Sequence, residues 1–294
     1  MFGILLVDKP LGISSHGVIS RLRKTLGTRR IGHAGTLDPL ATGLLVVAVG
    51  PATRFLQYLD LEPKTYVVTY KFGESTTTYD AEGEITETKP VPANLLEEIQ
   101  LHLPQFLGRI AQVPPIYSAI KHQGKKLYEY ARSGQEIAIK TRHIFIHSYE
   151  VNSVSATEAT FTIVCSGGTY IRSLAHDLGQ AIGCGAHISE LRRTGAGAYQ
   201  ITDSYPLDQI TPTNLIPVKS ALKHLPFVVL NPDQILHIRH GRSFNHPNPI
   251  EHPKAALLTE DGNVVGIANV SNAITLQPEC VIPAEVFDQI TANL

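Results

Sequence analysis

An aspartate on a proline-held loop is the residue of this sequence best suited to chemistry. Asp38 stands in Gly32-His33-Ala34-Gly35-Thr36-Leu37-Asp38-Pro39-Leu40-Ala41-Thr42-Gly43, whose glycine and proline content reads as a loop. Proline disfavours the helical region for the residue before it, so Asp38 is held extended. A carboxylate presented in this way can attack an electrophilic carbon, or stabilise positive charge, and later leave. Asp-Pro is also a common start of a turn, and on these residues alone a purely structural role is the favoured reading.

Other chemistries find less support. His143 and His147 flank Ile144-Phe145-Ile146, a strand-like run in which that spacing covers about 13 Å, too far for one shared ion. His237 and His240 suit a helix, yet no glutamate completes an HExxH pattern. Gly195-Ala196-Gly197 is followed by Gln200 where a dinucleotide loop needs its third glycine. There is no glycine-rich loop ending in Lys-Ser or Lys-Thr and no Gly-x-Ser-x-Gly. Cys165, Cys184 and Cys280 are an odd number, widely spaced, and predict reduced core residues rather than disulfides or a zinc site. The sequence therefore predicts neither a metal nor a cofactor.

The 294 residues suffice for one large domain and a small one. With 43% hydrophobic and 17% charged residues the composition is that of a globular protein, which excludes disordered and fibrous classes. The longest apolar run, Leu44 to Val49, is six residues, far below the roughly 20 that span a bilayer, and predicts a buried strand. Ile4 to Val7 is followed at once by Asp8 and Lys9, without a basic leader, so the expected location is cytoplasmic. The net charge is −1 but unevenly spread. Residues 1–54 carry +5 and residues 121–142 carry +4, whereas residues 228–294 carry −4. The two basic tracts are candidate phosphate contacts, although solvated faces are the ordinary fate of Lys and Arg.

These residues need elements to position them. Gly3 to Val7 reads as a strand. Ser14 or Ser15 caps a helix whose Val18, Ile19, Leu22 and Leu26 recur at helical spacing until Gly27, and whose Arg21, Arg23 and Lys24 lead into Arg29-Arg30. Tyr66 to Phe72 predicts a strand, Asp80-Ala81-Glu82-Gly83 a polar turn, and Leu95, Leu96, Ile99 and Leu103 a second helix. Ala159 to Cys165 alternates like a strand and turns at Ser166-Gly167-Gly168. Ile171, Leu174, Leu178 and Ile182 then continue as a helix to Gly183, with Tyr170 and Arg172 in its first turn. The interspersion predicts an α+β fold, a mixed and largely antiparallel sheet with flanking helices. Pro212, Pro217 and Pro226 crowd the stretch before Val228, which predicts a large domain over 1–227 and a small all-β one over 228–294.

The Asp38 loop closely resembles the signature loop of the TruB family of tRNA pseudouridine synthases. The resemblance continues in order through Asp8-Lys9-Pro10, Lys64-Thr65-Tyr66, Asp80-Ala81-Glu82-Gly83, Pro114-Pro115-Ile116-Tyr117-Ser118-Ala119-Ile120-Lys121 and Gly124-Lys125-Lys126-Leu127-Tyr128-Glu129-Tyr130-Ala131-Arg132. It extends to Gly167-Gly168-Thr169-Tyr170-Ile171-Arg172, Leu178-Gly179 and Leu191-Arg192-Arg193. Ile116 stands where methionine is usual and Ser14 where threonine is. The resemblance implies a pseudouridine synthase fold with a small C-terminal β-barrel-like, PUA-type domain. It also implies isomerisation of uridine 55 in the T loop of tRNA, without metal, cofactor or obligate protein partner, by a monomer. On matching residues, Asp38 is the nucleophile and Arg172 its partner, keeping it ionised. Tyr66 lies against the uracil ring and is a candidate acceptor of the C5 proton. Tyr170 and Leu191 line the base pocket, and His33 fills or stacks in the RNA loop once the base leaves. Arg29, Arg30, Lys121, Lys125, Lys126 and Arg132 meet the RNA backbone, the 121–142 tract resembling the insertion that stand-alone bacterial enzymes close over the T loop. A non-catalytic RNA-binding or tRNA-folding protein on a retired synthase scaffold, and a hydrolytic N-glycosidase, are the alternatives.

Overall fold

The computed structural model describes residues 1–117, 121–122, 125–126, 130 and 139–291, with the backbone alone for 121–122, 125–126 and 288–291. In chain order the elements begin with β1 (Gly3–Lys9), α1 (Ser15–Thr25), β2 (Ile31–Ala34), β3 (Ala41–Val49), β4 (Lys64–Phe72), β5 (Glu74–Thr76), β6 (Ile85–Thr88), α2 (Leu95–His102) and β7 (Gly108–Gln112). They continue with β8 (Lys121–His122), β9 (Lys125–Lys126), β10 (Arg142–Val154), β11 (Glu158–Cys165), α3 (Ile171–Ile182), β12 (Ala186–Ala196), β13 (Tyr199–Gln200) and β14 (Tyr205–Pro206). A ten-stranded sheet runs β14-β1-β3-β12-β4-β11-β10-β7, with β2 beside β3 and β13 beside β12. Within this sheet, among the described residues, the β1–β14 and β3–β12 pairs are parallel and the others antiparallel. This is the predicted α+β architecture.

The apolar runs explain the layers. Leu5 and Val7 of β1 and Leu45, Val47 and Val49 of β3 face α1, where Val18, Ile19 and Leu22 are fully buried. Each such side chain contributes roughly 1.5–3 kcal/mol. Their alternates, Ile4, Leu6, Leu44, Val46 and Ala48, face the opposite way into a second cluster. Strands buried on both faces read as unbroken apolar runs, which is why 44–49 lacks a polar alternation. In β4, one face alone is buried: Tyr66, Val68, Tyr70 and Phe72 pack with β11, α2 and α3.

The C-terminal part adds α4 (Val218–Ala221), β15 (Phe227–Val229), α5 (Pro232–Arg239), β16 (Phe244–Asn245), β17 (Lys254–Leu258), β18 (Val264–Ser271), β19 (Thr275–Val281) and α6 (Ala284–Thr291). Its five strands run β15-β17-β18-β19-β16 and curl into a half-barrel. Leu257, Ile267 and Val228 share one apolar cluster with Ile4 and Leu6 of the large sheet and with Phe55 on the 3-10 helix Gly50–Tyr58 that follows β3.

Several local expectations shift. The loop expected over 32–43 is shorter, because Gly32, His33 and Ala34 pair with Ala48, Val47 and Val46 as β2, leaving 35–40 as the connection. The first strand runs on to Lys9, since its ladder with β3 continues to Gly43. The C-terminal part is not all β: α5 is a helix with an Asn231 cap, Gln234 at the third position and Pro232 at the start. Cys280 is half-buried rather than a core residue.

Candidate active site

The β2–β3 connection is pinned on both sides of Asp38. The buried Ser15 hydroxyl, in the first turn of α1, donates to the Leu37 carbonyl at 3.0 Å and accepts from the Leu37 N–H at 2.8 Å. On the other side, the Gly12 N–H donates to the Pro39 carbonyl at 2.9 Å. Lys9, fully buried, donates from Nζ to the carbonyls of Pro10 (3.0 Å), Ile13 (2.5 Å) and Pro39 (3.3 Å). Burial pushes its amine down to about 8, against the pull of Asp38 and Glu82. The Asp38 carbonyl accepts from the Ala41 N–H at 3.1 Å, closing the turn.

Across from this loop stands the start of α3. Its N-terminal residue Tyr170, which caps the helix rather than sitting in its first turn, is fixed by the side chain of the buried Gln112. That amide accepts from the Tyr170 N–H at 2.8 Å and donates to the Tyr170 carbonyl at 3.0 Å. Gly179 lets the helix lie on β12, since a Cβ there would come within 2.2 Å of the Ala186 nitrogen. Arg172 is 5% exposed and spends its fork on four acceptors. Nη2 meets Asp38 Oδ2 at 3.0 Å and the Tyr117 carbonyl at 3.0 Å; Nη1 meets Asp80 Oδ2 and the Thr78 carbonyl, both at 3.1 Å. Asp80 is itself 2% exposed, its other oxygen accepting from the Thr78 hydroxyl and from the Glu82 N–H at 3.1 Å.

One guanidinium therefore joins two carboxylates. Asp38 lies deep in a cleft yet keeps 42% of its side-chain surface open to the cleft mouth. Burial raises its carboxyl above the ordinary range; Arg172 and Lys9 pull it back, and Asp80 pushes it further up. The ion pair expected from the sequence is present, but it offsets only part of the burial and does not reverse its direction.

The sheet supplies the remaining wall. Tyr66 of β4 lies directly opposite Arg193 of β12, and Val68 opposite Leu191; side chains two apart on a strand share a face, so all four point the same way. Tyr66 is 7% exposed and Leu191 8%. Burial raises the Tyr66 phenol, with Arg193 as the strongest opposing influence and Cys165 and Asp38 adding to the rise. Asp38, Tyr66, Tyr170, Arg172 and Leu191 line one cleft of about 280 Å³, together with Lys64 and Arg193. That is small beside the roughly 300–1,000 Å³ of drug-sized ligand sites and suits a single base.

The structure thus brings together five of the residues expected from sequence. His33 is not among those lining the cleft; it sits on β2 with a buried Nδ1 that has no hydrogen-bond partner among the described residues, and burial holds its imidazole below the ordinary range. Arg29 and Arg30 are exposed after α1, Arg30 donating to the Thr53 hydroxyl at 3.2 Å. Lys121, Lys125 and Lys126 follow a two-stranded pairing of β8 and β9, their side chains lying outside the description, and Arg132 lies outside the described residues. Sequence reasoning gave no site role to Asp80, read as part of a polar turn, or to Gln112, which carries no local signal. Arg193 was within reach: two residues beyond Leu191 in a strand it must share its face.

Comparison with known proteins decides the family. The model for the N-terminal domain of TruB family pseudouridylate synthases matches residues 23–171, half of the chain, and that for the tRNA pseudouridylate synthase B C-terminal domain matches residues 172–234. The chain belongs to the TruB family. Among its TruB relatives, tRNA pseudouridine synthase B of Stutzerimonas stutzeri is 38% identical over 96% of both chains. That of Burkholderia lata is 38% identical over 96% of this chain and 91% of its own. A solved Cbf5-Nop10-Gar1 complex matches with a TM-score of 0.70 at 28% identity, covering 97% of this chain and 87% of its counterpart. An H/ACA RNP bound to a substrate RNA containing 2'-deoxyuridine matches at 0.70 and 26%, covering 97% and 86%.

Proposed function

We propose that this TruB-family chain isomerises uridine to pseudouridine in tRNA, at position 55 of the T loop. The observation that carries the reading is the Asp38–Arg172 ion pair at 3.0 Å inside a cleft sized for one base, walled by Tyr66 and Leu191. A stacked base must be swung out of its RNA to reach Asp38, at a cost of a few kcal/mol that binding has to supply. Once it is there, the N1 bond to the sugar breaks, the base turns, and C5 bonds to the same carbon. Asp38 is the nucleophile or charge-stabilising carboxylate, Arg172 its partner, and Tyr66, Tyr170 and Leu191 hold the ring. Atoms and charge balance without redox carrier or metal.

The exposed Arg29 and Arg30 and the basic 121–142 tract supply phosphate contacts, with the shape of the T loop as the recognition signal. His33, outside the cleft, is assigned to the loop the base vacates, on the resemblance alone. The division into a catalytic part over 1–227 and a small PUA-like part over 228–294 belongs to the same proposal, the −4 charge of the latter fitting a weak phosphate contact. The enzyme is read as acting alone in the cytoplasm, and among the described residues no helix is long and apolar enough to cross a membrane.

The test uses a tRNA transcript tritiated at uracil C5. The parent releases tritium and Asp38→Ala releases essentially none. Label retained by the parent overturns the reading in favour of RNA binding without catalysis, and free uracil overturns it in favour of hydrolysis.

A further inference from the structure

Three arginines on or near the cleft wall differ in how their charge is met. Arg172 pairs with Asp38 and Asp80, and Arg192 takes Asp8 in a two-pronged pair at 3.0 and 2.7 Å. Arg193, adjacent to Arg192, is 1% exposed, and among the described residues no carboxylate pairs with it. Its Nε donates to the Leu44 carbonyl at 2.7 Å and its Nη2 to the Gly35 carbonyl at 2.9 Å. Two neutral carbonyls are poor compensation for a guanidinium taken out of water. Nη1 remains, on a side chain that lines the cleft directly across the strand pair from Tyr66. A cation left without a counter-charge beside a reacting pocket is suited to a negative charge that exists only during the reaction.

The chemistry proposed for the cleft creates one. After C5 has bonded to the sugar carbon, the ring carries a hydrogen on C5, a C6=N1 double bond and no proton on N1; the product has a proton on N1 and none on C5. We propose that Arg193 is a positioning residue for Tyr66, its buried charge stabilising the phenol oxygen as an anion while Tyr66 gives its proton to N1 and then takes the proton from C5. This rests on the pseudouridine synthase reading. The electrons of the broken C5–H bond form C5=C6, those of C6=N1 return to nitrogen, and the phenol ends as it began. N1 and C5 are both bonded to C6, so one oxygen facing that edge of the ring reaches either. A phenol that starts and finishes protonated also agrees with the burial-raised Tyr66, of which Arg193 is the chief opponent. The other charged or titratable groups around it are Lys64 on its own strand, Asp38 on the loop, Arg172 on α3 and Cys165 on β11.

The test places 3-fluorotyrosine at position 66 of the full chain and follows its ionisation by fluorine NMR in the parent, Arg193→Lys and Arg193→Met, with tritium release measured on each. Arg193→Met is expected to raise the fluorophenol midpoint by about one pH unit and lower kcat about tenfold with KM for tRNA nearly unchanged. Arg193→Lys, which keeps the charge but loses the fork, moves both by a smaller, still resolvable amount. A midpoint equal to the parent's in Met, or in Lys where Met does not fold, overturns the proposal and leaves Arg193 as a strut between two carbonyls. Full tritium release by Tyr66→Phe overturns it by removing Tyr66 from the proton path. Loss of release by Asp38→Ala with an unmoved midpoint in the Arg193 variants sinks this inference alone and leaves the synthase reading standing.

Discussion

Replacing Asp80 by asparagine should make the enzyme worse and, at the same time, more tolerant of acid. Asp80 is buried, and its Oδ2 receives Arg172 Nη1 at 3.1 Å while Oδ1 holds the Glu82 N–H and the Thr78 hydroxyl. An asparagine that keeps its oxygen on the Oδ1 side turns an NH2 toward the guanidinium, donor against donor. One charge-assisted bond is lost, at about 1.5–3 kcal/mol. At roughly 2.1 cal/mol/K of unfolding entropy per residue, a loss of about 2 kcal/mol corresponds to a fall of about 3 °C in Tm for a chain of 294 residues. If it all fell on the transition state, kcat would drop about 30-fold. The acid side runs the other way. The Asp80 charge raises the Asp38 carboxyl; without it Asp38 ionises at lower pH, and Arg172, released from its second carboxylate, favours the Asp38 anion further. The assay is kcat for tritium release across the acid range in parent and Asp80→Asn. A lower plateau with its acid limb displaced to lower pH is expected. An acid limb that stays in place or moves to higher pH refutes the reasoning, whatever happens to the plateau.

His33 is a base whose folded pKa lies below its ordinary value, so the unfolded chain takes up a proton first as pH falls. Its contribution to stability is present above the ordinary imidazole value of 6.5 and is lost progressively below it. Comparing Tm above and below that value, the loss on acidification should be smaller in His33→Gln than in the parent. Gly43 has φ +98° and a missing Cβ that would sit 2.3 Å from the Arg193 carbonyl oxygen. Gly43→Ala should therefore cost about 2–6 kcal/mol from strain and overpacking, read from the denaturant midpoint, and a cost under about 1 kcal/mol would show that β3 and β12 can separate freely.

Much of the fold was legible because periodicity is a local property. Ser14 does cap α1, accepting from the Gly17 N–H at 3.0 Å, and Gly183 does end α3 at φ 92°. Strand ends were less legible: whether Gly32 to Ala34 forms a strand depends on Val46 to Ala48 being alongside, and no loop composition reports that. The C-terminal α5 was missed although Asn231, Pro232 and Gln234 spell a capped start, because its apolar face is brief.

For the site, Asp38, Tyr66, Tyr170, Arg172 and Leu191 were all named from the chain, since residue types and order along a motif survive in one dimension. Their roles in space were not. Asp80 reads as solvent-facing beside Glu82 and Gly83, yet it is buried because Arg172, 92 positions away, is folded against it. Arg193 reads as one more basic residue after Arg192, yet one points to Asp8 and the other beneath the cleft. The sequence alone determined most of the elements, the family and the candidate carboxylate, because those rest on local patterns. Only the tertiary structure decided which charges are compensated, because desolvation and Coulomb attraction act across distances in space that the order of residues does not encode.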